Sequence, residues 1–120
     1  MTNALNWFEI PVQDMDRAVR CYETLLGAKL HRDTFGGLPY GIFPYEKPGV
    51  SGALVQDPKR RPGAATLIYL NADGKLDEVL ARVGKANATI LLPKTEIGKD
   101  GFMAILVDSE GNHVGFNAAL

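Results

Sequence analysis

An extended apolar segment that runs past an Asp into an amphipathic helix occurs twice in this chain, at residues 7–26 and again at residues 67–86. Superposed, Trp7, Phe8, Glu9 and Ile10 fall on Leu67, Ile68, Tyr69 and Leu70. With one residue inserted near Asp73 and Gly74, Met15, Asp16, Val19 and Tyr22 fall on Leu76, Asp77, Leu80 and Val83, and Gly27-Ala28-Lys29-Leu30 matches Asn87-Ala88-Thr89-Ile90. A repeat of about 60 residues implies two similar halves, and the groove between such halves is the natural place for a ligand.

Within each half the patterning predicts the same order of elements. Residues 6–12 alternate, with Phe8, Ile10 and Val12 on one side and Trp7, Glu9 and Pro11 on the other, as in a strand with two unlike faces. Asp14 is placed to cap a helix whose apolar stripe is Met15, Ala18, Val19, Tyr22 and Leu25 or Leu26, and Gly27 ends it. In the second copy Ile68, Leu70 and Ala72 oppose Leu67, Tyr69 and Asn71; Leu76, Val79, Leu80 and Val83 make the helix stripe, with Asn87 in the place of Gly27. Three extended stretches follow each helix, at about residues 28–33, 40–44 and 50–56, and at about residues 89–93, 102–107 and 113–118. Gly36-Gly37, Pro48-Gly49, Lys99-Asp100-Gly101 and Glu110-Gly111-Asn112 supply the turns. Each half therefore reads β-α-β-β-β. The expected fold is α+β: two such repeats forming a curled mixed sheet around a central cleft. One domain spans residues 1–120, with a first half at about 4–56, a linker at 57–64 and a second half at about 65–120. The halves pack either within one chain or by exchange between two.

Composition excludes several functions. A net charge of -1 offers no global field for nucleic acid or anionic lipid. The one basic run, Lys59-Arg60-Arg61, reads as a solvated loop tip between Pro58 and Pro62. The single cysteine, Cys21, cannot form an intrachain disulfide, which favours a reducing compartment, and a cytoplasmic location is expected. No apolar run is long enough to span a membrane.

Phe8-Glu9-Ile10-Pro11-Val12-Gln13-Asp14-Met15-Asp16-Arg17-Ala18, then Cys21-Tyr22, Leu26-Gly27 and Asp108-Ser109-Glu110-Gly111-Asn112, resemble the vicinal oxygen chelate superfamily. That group includes glyoxalase I, extradiol dioxygenases, fosfomycin-resistance enzymes and bleomycin-binding resistance proteins. The chain is similar to a bacterial branch known as glyoxalase/bleomycin-resistance-like. The resemblance implies the paired fold and a homodimer. It also implies where metal enzymes of the group hold His or Glu ligands, and those slots map here to Trp7, Gly52, Leu67 and Gly115. None of these side chains donates oxygen or imidazole to a divalent ion. The expectation is therefore no metal and no cofactor.

By strand parity the cleft is expected to be lined by Trp7, Glu9, Leu67, Tyr69, Asn71, His113, Gly115 and Asn117. Gly52 and Gly115 would leave room for a ligand. Glu9 is either a general base whose pKa is raised by apolar neighbours or a structural ion pair. His113 and Tyr69 are candidate acid–base partners, or else a strand residue and a core aromatic. Trp7 either stacks on a flat ligand or fills the space a metal would occupy. Asp108-Ser109-Glu110-Gly111-Asn112 reads as a tight turn, since it lacks the loop length of a calcium site. Residues 34–41 and 95–101 are candidate lids carrying or flanked by Phe35, Tyr40, Tyr45 and Phe102. The expected function is metal-independent binding of a small organic molecule. The alternative is a glyoxalase-like isomerase or lyase using Glu9 as base.

Overall fold

Alternation in the first copy places Ile10 and Val12 inside and Trp7 outside, and the strand β1 (Trp7–Pro11) has this character in the computed structural model, which describes Leu5, residues 7–99 and residues 101–119. The Asp14 carboxylate accepts from Arg17 N–H at 3.0 Å and starts helix α1 (Met15–Leu26). Gly27, at φ 65°, ends it in the left-handed region that a side chain enters only at a cost. Met15, Ala18, Val19, Cys21, Tyr22 and Leu25 are its buried residues, and a buried side chain of Val or Leu size contributes roughly 2 kcal/mol.

Strands β2 (His31–Phe35), β3 (Leu38–Ile42) and β4 (Ser51–Val55) complete a sheet of order β1-β4-β3-β2, in which β1 and β4 run parallel. The second half repeats this plan. Strand β5 (Tyr69–Asn71), helix α2 (Leu76–Ala81) and strands β6 (Thr89–Glu96), β7 (Gly101–Val107) and β8 (His113–Ala119) give a sheet of order β5-β8-β7-β6, with β5 and β8 parallel. The helix-facing sides of both sheets contribute to one apolar core, which includes Ile10, Tyr22 and Leu54 from the first half and Leu70, Leu106 and Phe116 from the second. The architecture is α+β, two curled open sheets each backed by one helix.

Several local expectations change. Residues 34–41 do not form a lid. They belong to a tight hairpin in which Phe35 pairs with Leu38 across Gly36 and Gly37, both at positive φ, and Phe35 and Tyr40 stack edge to face at 5.1 Å. Residues 97–99 form only a short turn between β6, which extends to Glu96, and β7, which begins at Gly101. Phe102 packs against the core, under the Lys94 ammonium at 4.5 Å, and does not close over a cleft. α2 ends at Ala81; beyond it the chain turns through Arg82 N–H to Val79 C=O and Asn87 N–H to Gly84 C=O, the tighter pattern expected where Gly84 weakens the helix. Asn87 takes φ 60°, the left-handed position that Gly27 holds in the first copy.

Candidate functional site

The pairing register fixes the equivalence of the halves. Glu9 pairs with Ala53 and Tyr69 with Gly115, so the first-half counterpart of Gly115 is Ala53. Gly52 pairs with Phe8, on the opposite side of the sheet from Trp7 and Glu9. This corrects the assignment of Gly52 to the cleft by one residue, and in a sheet one residue changes the face. Nor do the two glycines leave space for a ligand. A Cβ on Gly52 would lie 2.5 Å from the Phe8 ring, and one on Gly115 would lie 2.4 Å from the Tyr69 ring. Each glycine seats an aromatic ring from the neighbouring parallel strand.

At the slots that the resemblance implies for metal ligands, read in this register, the chain presents Trp7, Ala53, Leu67 and Gly115, and a divalent cation has no side-chain donor among them. Among the described residues no group of three His, Cys, Asp or Glu side chains is close enough to share an ion. The residues present do not fit the family's metal.

The eight side chains expected to line one cleft separate into three groups. Tyr69 and Asn71 line a cavity of about 500 Å3. Glu9 and His113 line a second of about 310 Å3. Ile68 lies on the walls of both, so the two cavities flank the seam between β1 and β5. Trp7, Leu67, Gly115 and Asn117 line neither; Trp7 is 40 % exposed and Leu67 38 %.

In the smaller cavity Glu9 is held by two side chains. Arg60 Nη2 donates to its Oε1 at 2.7 Å, Trp7 Nε1 donates to Oε2 at 3.2 Å, and the Arg60 charge is adjacent. Burial pushes the carboxyl up, but these contacts outweigh it and hold the group below its ordinary value. Of the two readings of Glu9, the geometry matches the ion pair and not the general base with a raised pKa. Arg60 is exposed, as a loop tip should be, yet it is not free. It bridges Glu9 and, at 3.4 Å, Asp57, and so ties residues 57–60 to the sheet.

The larger cavity is mostly apolar. Phe8 and Phe43, with ring centroids 5.6 Å apart, form part of its wall with Leu26, Ile68, Leu70 and Val79. Its polar groups are few: Ser51, whose hydroxyl is spent on Phe43 C=O at 2.7 Å, and Tyr69, Asn71 and Lys75. An apolar pocket of a few hundred Å3 with a small number of polar groups is the usual form of a small-molecule site.

Why this cavity exists follows from the repeat. The halves meet at two matching junctions, each formed by the start of one half's helix and the connection between the last two strands of the other half. At the first, residues 108–112 grip the start of α1. Glu110 accepts from Gln13 N–H and Asp14 N–H, both at 2.9 Å, and from Arg17 Nη2 at 3.0 Å. Asp108 accepts from the buried Tyr22 hydroxyl at 2.7 Å, and Asn112 Nδ2 donates to Pro11 C=O at 2.8 Å. Burial pushes Glu110 up, yet Arg17 and the two backbone donors bring it down to about 2. Sequence reasoning found this turn but not its inter-half role; two carboxylates and an amide crowded between two apolar strands were the available signal. At the second junction the connection is residues 43–50, and it supplies Phe43, Pro44 and Val50 in place of acceptors. α2 has no side-chain cap there. One junction is locked by hydrogen bonds, and the other is the 500 Å3 cavity.

Cys21 is buried, and burial raises its thiol pKa, so it takes no part in either cavity's chemistry. No helix among the described residues is long and apolar enough to cross a membrane.

Comparison with known proteins agrees with this architecture. A family model for the Glyoxalase/Bleomycin resistance protein/Dioxygenase superfamily matches residues 4–116. Among solved structures, the chain is similar to TnmS3, an antibiotic binding protein from a Streptomyces species (23 % identity, 100 % of this chain and 99 % of that one, TM-score 0.70). It is similar also to a glyoxalase/bleomycin resistance protein/dioxygenase family enzyme from Burkholderia phytofirmans (15 % identity, 96 % and 98 % covered, TM-score 0.71). A third is the fosfomycin resistance protein FosX from Listeria monocytogenes (13 % identity, 100 % and 94 % covered, TM-score 0.69). At these identities the likeness establishes the fold. No curated protein matches the chain in sequence.

Proposed function

This chain belongs to the Glyoxalase/Bleomycin resistance protein/Dioxygenase superfamily, and from that premise we propose that it binds a small organic molecule, without a metal, in the 500 Å3 cavity between its halves. The observation that carries the reading is the second junction, where apolar and aromatic walls replace the hydrogen-bonded lock of the first. The family's metal slots hold no donors, so affinity here comes from burial, shape and a few polar groups. The antibiotic binding role of TnmS3 supports a binding function on this fold. Trp7, Leu67 and Tyr69 expose apolar surface on the open sheet faces, which supports a homodimer.

The alternative, an isomerase or lyase with Glu9 as base, needs a carboxyl raised toward neutrality. Arg60 lowers it instead, so the geometry favours binding over proton abstraction.

A thermal-shift screen of aromatic drug-sized compounds, run with and without a chelator, tests the reading. Hits are expected to raise Tm equally in both conditions. Val50→Trp, which places an indole at the exposed edge of the cavity, is expected to abolish the shift. Shifts that vanish with chelator, or that survive Val50→Trp, refute it.

A further inference from the structure

We infer that the ligand of the larger cavity is an organic anion: a flat, largely apolar molecule bearing a carboxylate, sulfonate or similar acidic group at one end. This rests on the reading of that cavity as a small-molecule site and adds the chemical class of what enters it.

The argument is the sign of the polar groups. Among the described residues, Lys75 is the one charged side chain on the cavity wall, and the lining contains no Asp or Glu. The ion pairs formed by lysines among the described residues use Lys29 and Lys94, not Lys75. Asn71 turns its carbonyl oxygen away to accept from Asp73 N–H at 2.8 Å, which leaves its amide N–H groups to donate. The carboxylates nearest Lys75 in sequence, Asp73 and Asp77, accept from Ala119 N–H at 2.7 Å and from Lys94 Nζ at 3.0 Å respectively, and neither is part of the lining. Ser51, the other polar group near the apolar end, is already committed as a donor to Phe43 C=O. An ammonium and an amide donor therefore share a site with no competing acid. A neutral apolar guest leaves both of them without a new partner, whereas an anionic head engages both while its ring lies against Phe8 and Phe43. Because Lys75 is exposed, the charge contributes selectivity of modest size and the apolar wall supplies most of the affinity.

Two probes that differ only by the acidic group provide the test: 1-anilinonaphthalene-8-sulfonate and the uncharged N-phenyl-1-naphthylamine. Their affinities for the full chain are measured by fluorescence titration and calorimetry at low and moderate salt. The anionic probe is expected to bind roughly five- to tenfold more tightly than the neutral one, as one partly exposed charge contact allows, and to lose part of that margin as salt rises. Lys75→Met is expected to remove the margin while leaving the neutral probe's affinity unchanged, and Val50→Trp to weaken both probes without a change in Tm. Equal affinity of the two probes for the wild type, or an anion preference that persists in Lys75→Met, overturns the inference while leaving a small-molecule site intact. Binding of neither probe, or binding of both that is indifferent to Val50→Trp, overturns the site together with its ligand class.

Discussion

Replacing Glu110 by Gln tests the locked junction, and the structure sets both the size of the effect and its dependence on pH. The Glu110 side chain is 0 % exposed, and its carboxyl is held at about 2 against an ordinary 4.5. At about 1.4 kcal/mol for each tenfold change in a proton equilibrium, the ionised carboxylate contributes roughly 3 kcal/mol at neutral pH. The folded value lies below the unfolded one, so this stability is fully present above 4.5 and fades as pH falls toward 2. The linkage relation leaves roughly 1.5 kcal/mol of it at pH 3. Glu110→Gln also turns an amide toward the Gln13 and Asp14 N–H groups and leaves the partly exposed Arg17 without its anion, which adds to the loss. Urea unfolding of wild type and variant at pH 7 and pH 3 measures the difference directly. The expected gap is about 3 kcal/mol or more at pH 7 and markedly smaller at pH 3. A gap below 1 kcal/mol at pH 7, or one that is the same at both pH values, refutes the view that an ionised Glu110 joins the halves.

Tyr22→Phe removes the hydroxyl that donates to Asp108 across the same junction and is expected to cost about 1–2 kcal/mol in denaturant unfolding; no loss would mean the bond contributes nothing net. Gly115→Ala places a methyl group against the Tyr69 ring and is expected to cost about 1–3 kcal/mol, most of it recovered in a Tyr69→Leu background; equal costs in the two backgrounds would show that the ring is not what Gly115 accommodates. Glu9→Gln removes one member of a partly exposed ion pair, so its melting temperature should fall only by the equivalent of under about 1 kcal/mol, in contrast to Glu110→Gln; a loss as large as that of Glu110→Gln would make Glu9 a structural keystone.

The repeat and its periodicity carried the fold into view because they are local properties. Met15 to Leu25 at helical spacing, Asp14 and Gly27 at the helix ends, and the alternation of Phe8, Ile10 and Val12 each follow from the chain within a few residues of the feature they predict. The first-half counterpart of Gly115 could be read from sequence only to within one residue, and in a sheet one residue is the difference between the two faces, as Gly52 shows against Ala53. What sequence did not reveal was partnership over long separations. Arg60 reaches Glu9 across 51 positions, and Glu110 reaches Arg17 across 93. Neither contact has a period or a motif; the first selects the ion-pair reading of Glu9, and the second gives the Glu110 turn a partner in the other half. The lid at residues 34–41 failed for a different reason: Gly36-Gly37 reads as a turn, but the strands around it extend to the turn itself, leaving no loop to move.

The same repeat that fixes the fold also explains where the molecule is closed and where it is open. A duplicated β-α-β-β-β unit presents two matching junctions, and identical junctions would be equally tight or equally loose. Here they have diverged in the type of side chain each connection offers. Glu110 and Asn112 satisfy the backbone leading into α1, Asp108 takes the Tyr22 hydroxyl, and together they hold the halves in register, so the second junction is free of that task. Phe43, Pro44 and Val50 offer the start of α2 no acceptor of that kind, and what remains there is an apolar hollow beside Lys75 and Asn71. Rigidity on one side is what permits a cavity on the other, since an opening of this size between two loosely joined halves would otherwise collapse at little cost. Loosening the locked junction should therefore weaken binding at the open one, although no residue of residues 108–112 lines the larger cavity. Glu110→Gln is expected to lower the affinity for 1-anilinonaphthalene-8-sulfonate under conditions where the variant is still fully folded. Unchanged affinity would show that the two junctions are mechanically independent.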